Sequence, residues 1–346
     1  MSDPTRPWYS HADLKRDRSH ILDSPLQVAS SASSRFVLLE ASKGMYHRVL
    51  DPSSSRSEIE PLFLSYQQLE QLIDTEEIEA ALRGDHRNLI AWVGNSKGND
   101  YFVCHVKEEI AEARVTQVLG DKHTRVGGLR DFGDRLSGRM DAAILATSNG
   151  LVEFHKSHPF CSKCGSQTTS AKSGACRRCT SCKSSVYPRI DVAAIMLITS
   201  QCGEYALLGR KAAWPKGRYS TLAGFCEVGE TLEQCCAREV QEESGVQVEL
   251  DSIGFTCSQP WSFPRSLMAG FCGKAKQDGN ELPTIQVDEK EMQDVQWFHR
   301  DFVRERLEGR STALDFEPNA LEREFHIPGP SSLARLLITQ WANEKL

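Results

Sequence analysis

Long apolar runs are missing from this 346-residue chain. The longest, Val192 to Ile198, falls far short of the roughly 20 residues a membrane-spanning helix needs. The N-terminus also lacks a basic segment followed by an apolar core, so an intracellular protein is expected. Strong charge bias is absent too. A net charge of −6 gives no global signature for nucleic acid. One local absence stands out, because Cys161 to Ile190 has no Asp or Glu while carrying Lys163, Lys172, Arg177, Arg178, Lys183 and Arg189. No internal repeat is visible. What is present is enough apolar content, 40%, to fill the cores of two domains. The twelve cysteines of so long a chain suggest thiols and metal ligands in a reducing compartment rather than a disulfide framework.

Residues 1–34 are polar and end in "SSASSRF", which predicts a poorly ordered arm. An N-terminal α+β domain is expected over 35–154: "RFVLLEA", "LIAWVGN" and "YFVCHV" have strand composition, whereas "IEPLFLSYQQLEQLI" has helical spacing. "MDAAILATSNGLVEFHKSH" predicts a helix broken near Asn149-Gly150, leading into a cysteine-rich segment at 155–190. Over 191–346, "DVAAIMLITS" and "EYALLGRK" predict a hairpin. "VQVELDSIGFTCSQPW" and "SLMAGFCGKA" predict further strands, and "SSLARLLITQWANE" a closing helix.

Two Cys-x2-Cys pairs, Cys161/Cys164 and Cys179/Cys182, are fourteen residues apart, the spacing of a zinc ribbon in which each pair turns both thiolates toward one tetrahedral ion. Cys176 is a fifth candidate ligand if the second knuckle is wider. Such a closed site predicts structural Zn2+, while the surrounding basic residues keep a nucleic-acid role open.

Thr231 with Gln234 reads as a capping box and Gly245 as a C-terminal cap, so Leu232 to Ser244 is predicted to be one helix. Glu239, Glu242 and Glu243 then share a face, where like charges at this spacing cost about 0.2–0.5 kcal/mol each. The bland reading is a solvated acidic face. The alternative is a cradle for a hard divalent cation, Mg2+ or Mn2+, which takes oxygen ligands.

The register of the segment decides between them. Gly224, five residues, Glu230, seven residues, then "REVQEESGV" from Arg238 to Val246 resembles the Nudix box. "SQPWSFPRS" from Ser258 to Ser266 is similar to the segment that marks the NADH pyrophosphatase subfamily, with Ser262 where proline is usual. "EFHKSHPFC", "VYPR" and "IPGPSSLARLLI" are also like that subfamily, and the resemblance spans roughly 141–341.

The resemblance implies a C-terminal Nudix fold, an α-β-α sandwich whose mixed sheet lies between helices. It implies metal-dependent hydrolysis of the pyrophosphate of NADH or NAD+ to nicotinamide mononucleotide and AMP. A broader action on ADP-ribose or other dinucleotides, or removal of an NAD cap from RNA 5′ ends, is the alternative. Glu239 and Glu243 match box metal ligands with Glu242 close by, as do the carbonyl of Ala223 and, downstream in "VDEKEMQDVQW", Glu291. Arg238 is expected to orient the box carboxylates, with Glu230 as its partner. Tyr187 and Phe225 match aromatics that stack on a base, core packing being the plain alternative for each. Gln259, Pro260, Trp261, Ser262, Phe263, Pro264, Arg265, Ser266 and Ala334 match substrate contacts. Gly174 stands where a bacterial member has a substrate-contacting glutamate, so contacts from the ribbon are expected to differ. A homodimer is implied as well. The terminal "EKL" is a weak variant of the peroxisomal signal, leaving cytoplasm or peroxisome as the expected location.

Overall fold

The computed structural model describes residues 7–54, 57–84, 88–277, 279, 281–308 and 325–344. The last two residues of the terminal "EKL" lie outside them. The chain divides into two compact units. One comprises Tyr9–Ile190 with Trp261–Arg265, the other Met1–Trp8, Asp191–Pro260 and Ser266–Leu346.

In chain order, the Tyr9–Ile190 unit contains α1 (Ser19–Leu22), α2 (Pro25–Ala29), β1 (Ser34–Glu40), β2 (Gly44–Val49), β3 (Ile59–Pro61), β4 (Phe63–Leu64), α3 (Tyr66–Glu70) and α4 (Thr75–Arg83). It continues through β5 (Leu89–Ser96), β6 (Asn99–Val106), α5 (Glu112–Leu119), β7 (Thr124–Gly127), α6 (Leu129–Phe132) and α7 (Arg139–Ser157). Their sheet runs β3-β2-β1-β6-β5, with β1 and β6 parallel and the other neighbours antiparallel. The ribbon adds a three-stranded antiparallel sheet of β8 (Thr168–Ala171), β9 (Cys176–Cys179) and β10 (Ser185–Val186).

Three expectations are corrected here. The segment expected to be a poorly ordered arm carries α1 and α2 within its described part, and Ile21 and Ala29 are fully buried in the core with Phe36, Trp92 and Phe102. Tyr9 and Leu14 are buried as well, and a few apolar side chains in a polar stretch are enough to dock it. The stretch from Ile59 to Ile73 is helical only from Tyr66, because Pro61 and the pairing of β3 with β2 keep its first half extended, and the Ser65/Gln68 capping box starts the helix late. Finally, α7 runs unbroken through Asn149 and Gly150. One glycine weakens a helix by only about 1 kcal/mol, and packing of α7 on β5 and β6 outweighs it.

The other unit is built on β11 (Asp191–Thr199), β12 (Tyr205–Arg210), β13 (Leu222–Phe225), β14 (Gly254–Trp261), β15 (Ser266–Lys274) and β16 (Asp294–His299), with α8 (Leu232–Ser244), α9 (Arg300–Glu308) and α10 (Leu333–Ala342). Its sheet runs β14-β15-β11-β12-β16, and β13 also pairs with β11. The pairing is mixed, since β11 is parallel to β15 but antiparallel to β12 and β13.

The alternation of β11 explains the layers, because successive strand residues point to opposite faces. Ala194, Met196 and Ile198 pack with Cys235, Cys236 and Val240 of α8. Ile195 and Leu197 pack with Leu333, Leu337, Ile338 and Trp341 of α10. A continuous apolar run is what a sheet covered on both faces requires. The result is the expected α-β-α sandwich with α8 held against the sheet on one side.

Candidate active site

Helix α8 occupies the predicted span. Thr231 Oγ1 accepts from the Gln234 backbone N–H at 3.2 Å, Gln234 Oε1 accepts from that of Thr231 at 3.0 Å, and Gly245 closes the helix in the left-handed region. With Cys235, Cys236 and Val240 fixed in the core, the register carries Glu239 and Glu243 inward as well, and Glu243 is only 1% exposed. Glu242 stays outward.

Glu239 lies against β13 at Gly224. A Cβ there would come within 1.8 Å of the Glu239 carboxyl carbon, so only glycine lets this carboxylate and the strand approach so closely. The carboxylates are balanced by two cations. Arg238 donates through Nε to Glu230 Oε1 (2.6 Å) and through Nη2 to Glu230 Oε2 (2.9 Å). Its Nη1 serves both Glu239 and Glu242 at 2.8 Å, and Nη2 also reaches the Phe225 carbonyl at 2.9 Å. Glu230 is further fixed by the Glu227 backbone N–H, and its carboxyl is held down to about 2, chiefly by Arg238. The expected Glu230–Arg238 pairing is therefore present as a fork.

Lys211 is the second cation, with Nζ 3.6 Å from Glu243 Oε1. The sequence reading missed it. Lys211 follows β12 and carries no spacing relation to the box, so only the folded sheet brings the two together. Burial pushes the Glu243 carboxyl up to about 7, against the pull of Lys211, with Glu239 and Glu291 adding like charge. Glu239 is raised too, mainly by burial, with Arg238 opposing. Glu291, in the turn before β16, thus acts electrostatically on both inward carboxylates.

Glu243 Oε2 is buried without a hydrogen-bond partner. An orphaned carboxylate oxygen is costly in a protein interior. Carboxylate oxygens such as those of Glu239 and Glu243 suit a hard divalent cation, and such an ion would complete that oxygen's bonding.

In the ribbon, the sulfurs of Cys161, Cys164, Cys179 and Cys182 all lie within 4.8 Å of one another. Cys161 and Cys182 are 3.7 Å apart and Cys164 and Cys179 3.5 Å. Four sulfurs placed tetrahedrally about 2.3 Å from zinc are about 3.8 Å apart, so these separations fit zinc and not disulfides. Cys176 is outside the group, its Sγ directed to the Ala171 carbonyl at 3.9 Å. The geometry thus favours Cys179 over Cys176 as the fourth ligand. Gly174, in the β8–β9 turn, has φ +87°, and a Cβ there would fall 2.2 Å from that of Ala91. Packing of the turn on β5 leaves no room for a side chain at the position where a glutamate was the comparison.

Tyr187 is 57% exposed, with Lys172 Nζ donating to its hydroxyl at 3.3 Å, and Phe225 is 59% exposed at the end of β13. Neither ring is core. Gln259 is different, being 1% exposed, with Nε2 donating to the Ser331 and Trp8 carbonyls while Oε1 accepts from the Leu333 N–H. Expected as a substrate contact, it has its amide engaged within the chain, anchoring the start of α10 and binding the Trp8 carbonyl. The Ala334 methyl is likewise in the core. Trp261 and Phe263 pack edge to face with each other and with Tyr9, and the Ser262 carbonyl accepts from Asn149. Pro264 is exposed, and Arg265 and Ser266 are partly so.

Comparison with known proteins adds the family. The model of the NUDIX domain matches residues 188–318, and that of the NADH pyrophosphatase zinc ribbon domain matches 156–187. The chain is 32% identical over 312 residues to the mitochondrial NAD(P)H pyrophosphatase NUDT13 of Mus musculus, covering 89% of this chain and 82% of that protein. This chain is a Nudix hydrolase of the NADH pyrophosphatase family. It is also 36% identical over 214 residues to the NAD-capped RNA hydrolase NudC of Mycobacterium bovis (62% of this chain, 64% of that one) and 33% identical over 237 residues to the chloroplastic Nudix hydrolase 19 of Arabidopsis thaliana (59% and 52%). A NUDIX hydrolase structure from Nitrosomonas europaea, 22% identical, covers 49% of this chain and 97% of that one at a TM-score of 0.32. The family's divalent-metal requirement agrees with the carboxylate donor set, and its zinc ribbon with the four cysteines. No helix among the described residues is long and apolar enough to cross a membrane.

Proposed function

We propose that this Nudix hydrolase splits the pyrophosphate of NADH or NAD+ with water, giving nicotinamide mononucleotide in the corresponding redox form and AMP. The observation that carries the reading is the joining, in one chain, of an intact box, with its orphaned Glu243 oxygen, to a four-cysteine ribbon. Glu239, Glu243, Glu291 and the Ala223 carbonyl would hold Mg2+ or Mn2+, and Glu242 shares Arg238 Nη1 with Glu239. Bound there, the cation supplies charge neutralisation for the diphosphate and a more acidic water. Arg238 positions Glu239 and Glu242 rather than touching substrate, and Lys211 offsets the charge of Glu243. A water oxygen adds to one phosphorus as the bridging P–O bond breaks, and the bridging oxygen leaves with the other phosphate. Placement of charge dominates such a reaction, because negative charge spreads over the equatorial oxygens.

The exposed rings of Tyr187 and Phe225 are each assigned to stacking on a base, and the Pro260–Ser266 segment keeps the contact role implied by the resemblance. A homodimer in the cytoplasm or peroxisome belongs to the same proposal, and sedimentation checks the dimer. The deciding experiment is product identification after incubating the purified chain with NADH and Mn2+: mononucleotides support the reading, and unchanged NADH refutes it.

One observation favours a second reading. Lys163, Lys172, Arg178 and Lys183 make the ribbon basic, in a segment from Cys161 to Ile190 that contains no Asp or Glu, and a basic surface of this kind suits phosphate contacts to an RNA chain. Arg177 is not available in the same way, since it bonds to Thr168 and His155. Cleavage of NAD-capped RNA that weakens with salt, beside salt-insensitive cleavage of free NADH, would establish this activity.

A further inference from the structure

The box contains a second donor cluster that the carboxylate cradle does not use. Sγ of Cys226, Sγ of Cys235 and a carboxylate oxygen of Glu230 all lie within 4.8 Å of one another. The local fold brings them together. Cys226 follows directly on β13, with its N–H bonded to the Val192 carbonyl of β11 at 3.0 Å. The chain then turns through a Glu230 N–H to Glu227 carbonyl bond of 3.2 Å, and the Cys226 thiol lies 3.7 Å from the Glu230 carbonyl. The capping box starts α8 so that Cys235, in its first turn, faces β13, with Sγ 3.9 Å from the Gly224 carbonyl. Cys226 and Glu230 are partly exposed and Cys235 is buried, so the cluster opens to solvent on one side.

Two thiols and a carboxylate form a donor set unlike that of the cradle. Sulfur selects zinc and similar thiophilic ions, whereas Mg2+ and Mn2+ prefer oxygen. Three protein ligands with a water in the fourth position make an ordinary open tetrahedral zinc site.

We propose that Cys226, Glu230 and Cys235 form a second, weaker site for zinc or a related thiophilic divalent cation, and that its occupation inhibits the enzyme. Both thiols give up their protons to solvent on binding, and no electron transfer is involved. The link to activity is Arg238, whose Nε and Nη2 are clamped by Glu230 and which also lies 3.7 Å from Cys235 Sγ. A Glu230 carboxylate drawn onto a metal releases that clamp. The guanidinium then loses the anchor that keeps Nη1 on Glu239 and Glu242 and Nη2 on the Phe225 carbonyl. Metal binding is independent of the proposed reaction, but the inhibition rests on it.

The test takes the full-length protein with its ribbon zinc retained, titrates zinc by calorimetry, and counts bound zinc by elemental analysis. Wild type should take up one equivalent beyond the ribbon. Cys226→Ser and Cys235→Ala should each keep the ribbon zinc and lose the additional equivalent. With Mn2+ saturating, zinc should suppress NADH hydrolysis by wild type at least about tenfold more strongly than by Cys226→Ser, the scale on which supporting contacts around a metal centre act. No additional equivalent in wild type, or one that survives in Cys226→Ser, overturns the site. Equal inhibition of both proteins overturns the link through Arg238 and puts the inhibitory zinc on the carboxylates instead. Uptake that is lost in the variants, from a protein inactive on NADH, keeps the site and refutes the proposed function alone.

Discussion

The ribbon cysteines and the carboxylates of α8 differ in how their charge is settled. In the ribbon, four sulfurs on two knuckles lie within 4.8 Å of one another, and one zinc ion would satisfy all of them. On α8 the carboxylates lie at different depths, Glu242 outward and Glu243 fully buried, and cations reach them from separate elements, Arg238 on the helix and Lys211 after β12. A closed set of identical ligands leaves no coordination position for chemistry, whereas an uneven set with one orphaned oxygen does. The first cluster is therefore suited to hold a fold together, and the second to hold something that comes and goes.

The sharpest way to break this contrast is at the cysteines. Cys161→Ser should lose the zinc and unfold the ribbon locally, since structural zinc is worth about 10–16 kcal/mol in small domains. Metal analysis and hydrogen exchange over 155–190 check it, and a variant that keeps its zinc and its protection would make the ribbon something other than a structural metal site. On α8 the expected signature is reversed. Glu243→Gln removes one buried charge while keeping shape, so the fold should survive and NADH hydrolysis should drop at least about a hundredfold, equivalent to losing about 2.7 kcal/mol of transition-state stabilisation. Near-normal turnover would mean that the buried carboxylate serves no cation.

Both clusters were legible in the sequence because their spacing is local. Two Cys-x2-Cys pairs declare a knuckle whatever lies around them, and Glu239 and Glu243, one helical turn apart, declare a shared inward face, whereas Glu242, expected on the same face, lies outward. What was not legible depends on strands far apart in the chain. Lys211 reaches Glu243 only because the sheet places the end of β12 beside α8, and Gln259 reads as a polar contact until Trp8, Ser331 and Leu333 are seen to engage its amide. The double covering of the sheet was readable in the run from Val192 to Ile198, but the docking of α1 and α2 was not, because a few buried side chains such as Ile21 and Ala29 leave no periodic trace. Local pattern also misled at Ile59 to Leu64, where apolar spacing suited a helix and pairing with β2 and β1 decided for strands.

A pH series sharpens the comparison further. Glu243 titrates near 7 in the folded chain against an ordinary 4.5, so the folded state binds more protons than the unfolded one between those values, and this group's contribution to stability declines as pH rises through them. The unfolding free energy of metal-free Glu243→Gln should accordingly match wild type at pH 4.5 and exceed it increasingly up to pH 8, by at most about 3 kcal/mol, with the melting temperature following in the same direction. In the ribbon-bearing unit the sign is opposite. His155 is held near 4, mainly by burial, so its stability is complete above its ordinary 6.5 and is lost as pH falls toward 4. Replacing His155 by Gln, which can still bond to the Gly174 carbonyl, should flatten that acid limb. A pH-independent difference between Glu243→Gln and wild type would show that the carboxylate is solvated after all.

The smallest expected effects lie at the two exposed rings. Tyr187 and Phe225 are more than half exposed, so truncating either removes little buried area and should leave the melting temperature nearly unchanged. Their assigned work is to hold a base away from the bond that breaks. A contact made equally in the bound substrate and the transition state lowers KM without raising kcat, so Tyr187→Ala and Phe225→Ala should each raise KM for NADH and spare kcat. Stacking on a base is worth about 1–3 kcal/mol, which predicts a rise between about fivefold and a hundredfold. Lys172 offers an internal control, because its ammonium lies 5.7 Å from the Tyr187 ring centroid and bonds to its hydroxyl. Tyr187→Phe keeps the ring and loses only that bond, so its KM should stay within about threefold of wild type. Kinetics unchanged in both alanine variants would remove the rings from the substrate and leave recognition of the base to other residues.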